Sequence, residues 1–93
     1  MATRVLLVDD HQMVREGLRA VLEQDDAFSV VGEASSGREA VRLAEQLRPD
    51  VVVMDVAMSD LNGIEATRQI RSLVPDSAIV ALSSHSDRRY VMA

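Results

Sequence analysis

Apolar residues in this chain form four short runs, separated by longer segments in which apolar residues recur with helical spacing. The runs are rich in valine, leucine and isoleucine, a composition typical of β-strands. They predict strands at 4–8, Phe28–Ala34, Val51–Asp55 and Ala78–Leu82. The third run is continuously apolar until it reaches a single aspartate, a pattern that favours a strand buried on both faces of a parallel sheet.

The segments between these runs predict helices, because their apolar residues recur every three or four positions. Three helices are predicted, at Gln12–Glu23, 36–47 and 64–73. Ser36 and Glu39 match a capping box, in which two side chains satisfy free N–H groups at the start of a helix. The last residues, 87–93, are predicted to begin a fourth helix.

The first helix divides into an apolar side and a polar side. Its apolar positions are Met13, Val14, Gly17, Leu18, Val21 and Leu22, and its predicted water-facing residues are Arg15, Glu16, Arg19 and Glu23. Strands and helices alternate along the whole chain with short loops between them. This order predicts an α/β protein with a parallel sheet and right-handed crossovers.

Composition narrows the class of protein. A chain of 93 residues corresponds to one domain with a modest core, and a hydrophobic fraction of 47% favours a folded protein. The absence of cysteine excludes disulfide bonds and thiol chemistry, and it fits a cytoplasmic location. The apolar runs are too short to span a membrane, and the start of the chain lacks a signal peptide's apolar segment.

The net charge of the chain argues against nucleic acids as partners. The chain carries 15 acidic and 10 basic residues, a net charge of −5, and all of the basic residues are arginine. An acidic surface repels the phosphate backbone, so we expect no direct nucleic-acid binding by this chain. The same negative charge favours the binding of cations.

Three carboxylates follow the ends of two predicted strands: Asp9 and Asp10 after the first, and Asp55 at the end of the third. If these strands are neighbours, the carboxylates share a pocket and repel one another unless a cation is present. Mg²⁺ prefers such oxygen ligands, and an aspartate beside it can attack phosphorus to form an aspartyl phosphate. A hydroxyl after the fourth strand, Ser83 or Ser84, could donate to a phosphoryl oxygen.

Structural alternatives exist for each of these residues taken alone. An aspartate at a strand end commonly starts a turn or caps a helix, and this alternative stays open for Asp9 and Asp10 singly. Ser83 alone is most simply a loop hydroxyl. His11 is most simply an exposed residue at a helix start, with no second ligand at metal spacing. Only the three aspartates together point clearly to chemistry.

The sequence closely resembles the receiver domain of two-component response regulators, in the NarL/LuxR-type group. The resemblance covers essentially the whole chain. It is carried, in order, by Val5-Leu6-Leu7-Val8-Asp9-Asp10-His11, Arg15-Glu16-Gly17-Leu18, Val30-Val31-Gly32-Glu33-Ala34, Pro49-Asp50-Val51-Val52-Val53-Met54-Asp55 and Gly63-Ile64-Glu65-Ala66-Thr67. It implies a flavodoxin-like, doubly wound parallel sheet with strand order 2-1-3-4, and a single receiver domain over 1–93.

The resemblance also implies a role for each site residue. Asp55 matches the phosphoacceptor, and Asp10 and Asp55 match Mg²⁺ ligands together with the main-chain carbonyl of Ala57. Asp9 matches the acidic residue that completes the pocket, and Ser83 matches the hydroxyl that contacts the phosphoryl group. The implied function is a signalling switch, not a turnover enzyme. A sensor histidine kinase is its phosphodonor, and the parent protein is a cytoplasmic, DNA-binding transcription regulator.

Two departures from the family pattern change the expectations. The first is Ser59, which stands where family members commonly have proline. The second is that the family's fifth strand, its fifth helix and the lysine that follows the fifth strand have no counterpart in the 93 residues. We therefore expect an incomplete receiver without a DNA-binding domain, and slow phosphorylation. We also expect strand four to lie at the edge of the sheet and to favour self-association or dimerisation.

Three other functions remain open from the sequence. A Mg²⁺-dependent phosphatase with an aspartate nucleophile would have Asp-x-Asp after the first strand, where this chain has Asp9-Asp10. An interaction module without phosphorylation would be unaffected by Asp55→Asn. A flavin or nucleotide binder is disfavoured, because no glycine-rich phosphate loop follows the first strand.

Overall fold

The computed structural model describes residues 2–55, 63–82 and 89–92. The strands in this part of the chain are β1 (Thr3–Val8), β2 (Phe28–Ala34), β3 (Val51–Asp55), β4 (Ala78–Leu82) and β5 (Arg89–Met92). The helices are α1 (Gln12–Glu23), α2 (Gly37–Leu47) and α3 (Gly63–Leu73). In these segments no helix combines the length and apolar character needed to cross a membrane.

The strands form one sheet in the order β2-β1-β3-β4-β5. The first four are parallel, and β5 runs antiparallel to β4. Helix α1 packs on β1 and β2, and α2 packs on the same strands and on α3. Parallel connections of this kind are almost always right-handed crossovers. The predicted fold class, a doubly wound sheet with parallel order 2-1-3-4, is confirmed.

The core lies between the sheet and the pair α2–α3. Leu6 of β1, Val52 and Met54 of β3, and Ile79 of β4 are fully buried there, as is Ile70 of α3. Small residues line the side of α2 that faces the sheet, and they are Ala40 and Ala44. The central strands β1 and β3 pair with neighbours on both sides, and the β1–β2 register shifts once, between Val5 and Leu6, before the carboxyl end of β1.

The structure corrects two predictions about the last part of the chain. The prediction that a helix begins in 87–93 is wrong, because residues Arg89–Met92 form β5. The prediction that β4 lies at the edge of the sheet is also wrong, because β5 pairs with β4 from Ile79↔Met92 to Leu82↔Arg89. An unpaired strand edge is a template for another strand, and the Tyr90-Val91 pair has high β propensity. Pairing therefore satisfies the β4 backbone groups better than a short helix would.

Helix α1 also differs from its predicted packing. Met13 is 84% exposed and Val21 is 66% exposed, although both were assigned to its apolar side. Within α1, all of which is described, no side chain is fully buried. Arg15, predicted to face water, is instead largely covered, with 14% of its side chain exposed. Polar contacts therefore contribute much of the attachment of α1 to the sheet.

Candidate functional site

The site is created by the register between β1 and β3. These parallel strands are direct neighbours, and Val8 pairs with Met54 at their carboxyl ends. The residues that come next are Asp9 and Asp55, so their side chains meet at the same edge of the sheet. In open α/β sheets this edge is where ligands bind.

Four side chains at this edge could each offer a ligand atom to one ion. They belong to Asp9, Asp10, His11 and Asp55, and the four atoms lie within 4.8 Å of one another. Asp55 is 3% exposed and Asp9 is 8% exposed, whereas Asp10 and His11 are open to solvent. The cluster therefore has a buried floor of two carboxylates and an exposed rim.

The chain turns sharply between β1 and α1, and Asp9 shapes the turn. Its Oδ1 atom accepts a hydrogen bond of 2.8 Å from the backbone N–H of His11. The Nδ1 atom of His11 lies 3.0 Å from Asp9 Oδ1 and 3.0 Å from Asp10 Oδ1. The hydrogen bond to Asp9, followed by the charge of Asp10, raises the pKa of His11 above its ordinary value of 6.5.

Membership of His11 in this cluster was missed by sequence reasoning. The residue is exposed and begins α1, as predicted, and His11 is the helix N-cap. Its position directly after Asp9-Asp10 was the available signal, because a turn that starts a helix folds the third residue back towards the first.

A second polar group holds the turn from outside the cluster. Arg15, in the first turns of α1, donates from Nη1 to the main-chain carbonyl of Asp9 at 2.5 Å. The same guanidinium donates from Nε to Glu33 Oε1 of β2 at 3.2 Å. Arg19 Nη1 donates to the other Glu33 oxygen at 2.7 Å. These arginines hold the pKa of Glu33 below its ordinary value, with the Arg19 hydrogen bond as the larger cause.

The start of α3 packs against the end of β3, next to Asp55. Thr67 Oγ1 donates to the carbonyl of Gly63 at 2.6 Å and lies 3.7 Å from the sulfur of Met54. Met54 is fully buried immediately before Asp55. This contact fixes the first turn of α3 against the end of β3.

Two predicted site residues cannot be placed. Ala57 and Ser83 lie outside the described residues, as do Ser59 and Ser84. The structure therefore brings together Asp9, Asp10 and Asp55, and it leaves the predicted main-chain ligand and the switch hydroxyl as sequence-based expectations.

A family model for the response regulator receiver domain matches residues 5–93. The chain belongs to this family. The predicted family and its signalling role are thereby confirmed.

Individual relatives agree with this receiver assignment. The transcriptional regulatory protein LiaR of Bacillus subtilis is 54% identical over 84 residues, which cover 90% of this chain and 40% of LiaR. The response regulator protein VraR of a Staphylococcus epidermidis strain is 42% identical over 91 residues, covering 98% of this chain and 44% of VraR. The chain thus spans about two fifths of the length of these curated relatives.

Solved structures agree with the fold. A LuxR-family two-component response regulator from an Aurantimonas species has a TM-score of 0.86 and 42% identity, covering 92% of this chain and 61% of its own. The response regulator domain of Thermotoga maritima CheB has a TM-score of 0.86 and 39% identity, covering 90% of this chain and 62% of its own.

The donor set of the receiver's acidic cluster suits a hard divalent cation. Three carboxylates converge within 4.8 Å, which is close enough for oxygens of different residues to share one ion. Mg²⁺ takes six oxygen ligands and usually keeps several waters, so two or three carboxylates suffice. Protein zinc sites draw mainly on cysteine and histidine, whereas this cluster offers three carboxylates and one imidazole.

Proposed function

We propose that this receiver domain, residues 1–93, accepts a phosphoryl group on Asp55 with the help of Mg²⁺. Asp10 and Asp55 would hold the ion with the main-chain carbonyl of Ala57, and Asp9 would complete the acidic pocket. The observation that carries the proposal is the convergence of three aspartates within 4.8 Å at the carboxyl edge of the sheet.

Electrostatics supports a cation in this pocket. Carboxylates this close repel one another, and burial of Asp9 and Asp55 strengthens the repulsion because water screens it less. Folding nonetheless brings them together through the register of β1 and β3. A bound divalent ion offsets the repulsion, so the energetic cost of assembling the pocket is recovered when the ion binds.

The chemistry follows from the position of Asp55. One of its carboxylate oxygens attacks the phosphorus of a phosphohistidine, the P–N bond breaks, and the donor histidine leaves with the electron pair and takes up a proton. When bound, Mg²⁺ neutralises charge on the transferred phosphoryl oxygens. Ser83 would donate its hydroxyl to one of those oxygens. Buried Asp55 is held by a central strand, which favours in-line attack.

The wider role follows the relatives. We infer a sensor histidine kinase as phosphodonor, a cytoplasmic location, and a parent protein that regulates transcription through a separate DNA-binding part. Dimerisation that responds to phosphorylation is a further part of this proposal. The domain acts as a stoichiometric acceptor, with at most self-phosphorylation and self-dephosphorylation.

The first prediction tests phosphoryl transfer itself. Incubation of the 93-residue chain with acetyl phosphate and Mg²⁺ should add the mass of one phosphoryl group, measured on the intact protein. The reaction should be slow, because the sequence contains no lysine to neutralise a phosphoryl oxygen. Asp55→Asn and removal of Mg²⁺ with EDTA should each abolish the product.

Asp26→Asn serves as the control, because this exposed residue lies after α1, away from the cluster. It should be phosphorylated like the wild type. A product that persists in Asp55→Asn would contradict the assignment of the acceptor. Phosphate release from a small phosphoester would favour a phosphatase, and an unmodified wild-type chain would favour an interaction module.

A further inference from the structure

Arg15 connects the acidic turn to the neighbouring strand β2. Its guanidinium donates to the main-chain carbonyl of Asp9 at 2.5 Å and to Glu33 of β2 at 3.2 Å. Both side chains are largely covered, with 14% of Arg15 and 25% of Glu33 exposed. Two donors of one planar group are thus used on two partners in different elements, which fixes the guanidinium in one orientation.

Among the described residues, the other contacts that hold this turn use the N–H and the carboxylate of Asp9, not its carbonyl oxygen. Asp9 is held from the strand by its N–H, which donates to Ala34 at 3.1 Å. The side chain of His11, the N-cap of α1, accepts no capping hydrogen bond from the backbone N–H groups of the helix. The carbonyl of Asp9 points to Arg15. Arg15 therefore restrains the peptide group that joins Asp9 to Asp10, and through it the direction of both carboxylates.

We propose that Arg15, supported by Glu33, is a positioning residue that sets the Asp9–Asp10 turn for cation binding. It touches no ligand atom and acts through the peptide group between the two aspartates. The inference rests on the proposed Mg²⁺ site. Groups that orient metal ligands in this indirect way commonly change affinity by one to two orders of magnitude when removed.

Charge and positioning make opposite predictions for Arg15. Its positive charge lies beside a cation site, so by Coulomb's law alone its removal should strengthen Mg²⁺ binding. If Arg15 positions the turn, its removal should weaken binding, because the carboxylates no longer converge. The sign of the change in affinity therefore separates the two effects.

Arg19 provides a matched control on the same helix. It also donates to Glu33 and carries the same charge, but its Nε donates to Glu23 and not to the Asp9 carbonyl. The variants Arg15→Met and Arg19→Met each remove one charge and keep the apolar stem. Loss of helix anchoring affects both variants, whereas loss of turn positioning affects only Arg15→Met.

The experiment titrates MgCl₂ into the ¹⁵N-labelled 93-residue chain and follows the amide signals of Asp9, Asp10 and His11 by NMR. Arg15→Met should bind Mg²⁺ roughly tenfold more weakly than the wild type, and Arg19→Met should bind with nearly unchanged affinity. The His11 amide, which donates to Asp9 Oδ1, should shift in ion-free Arg15→Met and not in Arg19→Met.

A milder pair keeps the test decisive if Arg15→Met does not fold. Arg15→Lys retains the charge but offers one compact donor group for two partners, so Mg²⁺ affinity should fall severalfold, whereas Arg19→Lys should match the wild type. Equal or tighter binding by the Arg15 variants would overturn the inference and leave the Mg²⁺ site standing. A wild-type chain that does not bind Mg²⁺ would overturn both.

Discussion

At the scale of single residues, Glu33 joins the acidic turn to the rest of the fold. It lies on β2 opposite Leu7 of β1, and it accepts hydrogen bonds from both Arg15 and Arg19. Two arginines on one carboxylate stabilise its charged form, so the pKa of Glu33 is below its ordinary value of 4.5. The residue therefore contributes to folding in a way that depends on pH.

The sign of that dependence gives a prediction. Since the folded-state pKa of Glu33 is lowered, its contribution is present above pH 4.5 and is lost as pH falls through the folded value. Glu33→Gln should reduce the free energy of unfolding by about 1 kcal/mol near neutral pH, a typical value for a partly exposed ion pair. The difference from wild type should shrink in acid. Urea unfolding in EDTA across this range measures it.

Glu45→Gln is the control, because this exposed residue of α2 removes a charge of the same sign. Its stability difference from the wild type should be small at every pH. A Glu33→Gln difference that stays constant into acid would show that the ion pairs with Arg15 and Arg19 are not its source.

At the scale of elements, α2 and α1 differ in how far the sequence specifies them. Helix α2 begins at the predicted cap, where Ser36 Oγ accepts the N–H of Glu39 at 3.1 Å. It ends at Leu47, and its C-cap Arg48 has a left-handed conformation with φ 47° directly before Pro49. Both signals are local, so they could be predicted. The attachment of α1 depends on Glu33, 18 residues beyond Arg15, and no local pattern indicates that pairing.

The cap of α2 can be tested by itself. Ser36→Ala removes the acceptor for the Glu39 N–H and should lower the free energy of unfolding by about 1 kcal/mol. Ser36→Asp keeps an acceptor and adds favourable charge at the helix start, so it should restore most of the loss. Ser72→Ala, an exposed change near the end of α3, should have little effect. Equal losses from both alanine changes would exclude a capping role for Ser36.

At the scale of the whole molecule, the sheet order explains why the site was predictable and its support was not. Asp9 and Asp55 each follow a recognisable strand, and parallel order alone brings them to one edge. Whether residues Arg89–Met92 form a helix or a strand depends on whether a short helix is more stable than pairing with the free edge of β4. Tertiary strand pairing decides the outcome, and the local spacing of apolar residues does not predict such pairing.

Assembly of the cluster from distant strands couples Mg²⁺ to folding. The unfolded chain separates Asp10 and Asp55, so the ion binds the folded state preferentially and should raise the unfolding temperature. At one hundred times the dissociation constant the gain is about 2.7 kcal/mol. Asp55→Asn should behave in the opposite way. Without the ion it should be more stable than wild type, because a buried carboxylate no longer faces Asp9 and Asp10.

With saturating Mg²⁺ the order of stability should therefore reverse, since only the wild type gains from the ion. Thermal unfolding followed by circular dichroism, in EDTA and in MgCl₂, measures all four values. Asp26→Asn, which removes a charge outside the cluster, should keep the full Mg²⁺ gain. An Asp55→Asn protein that gains as much from Mg²⁺ as the wild type would mean that the ion binds elsewhere. The reversal would show that the acidic pocket is formed at a cost to stability which the ion offsets.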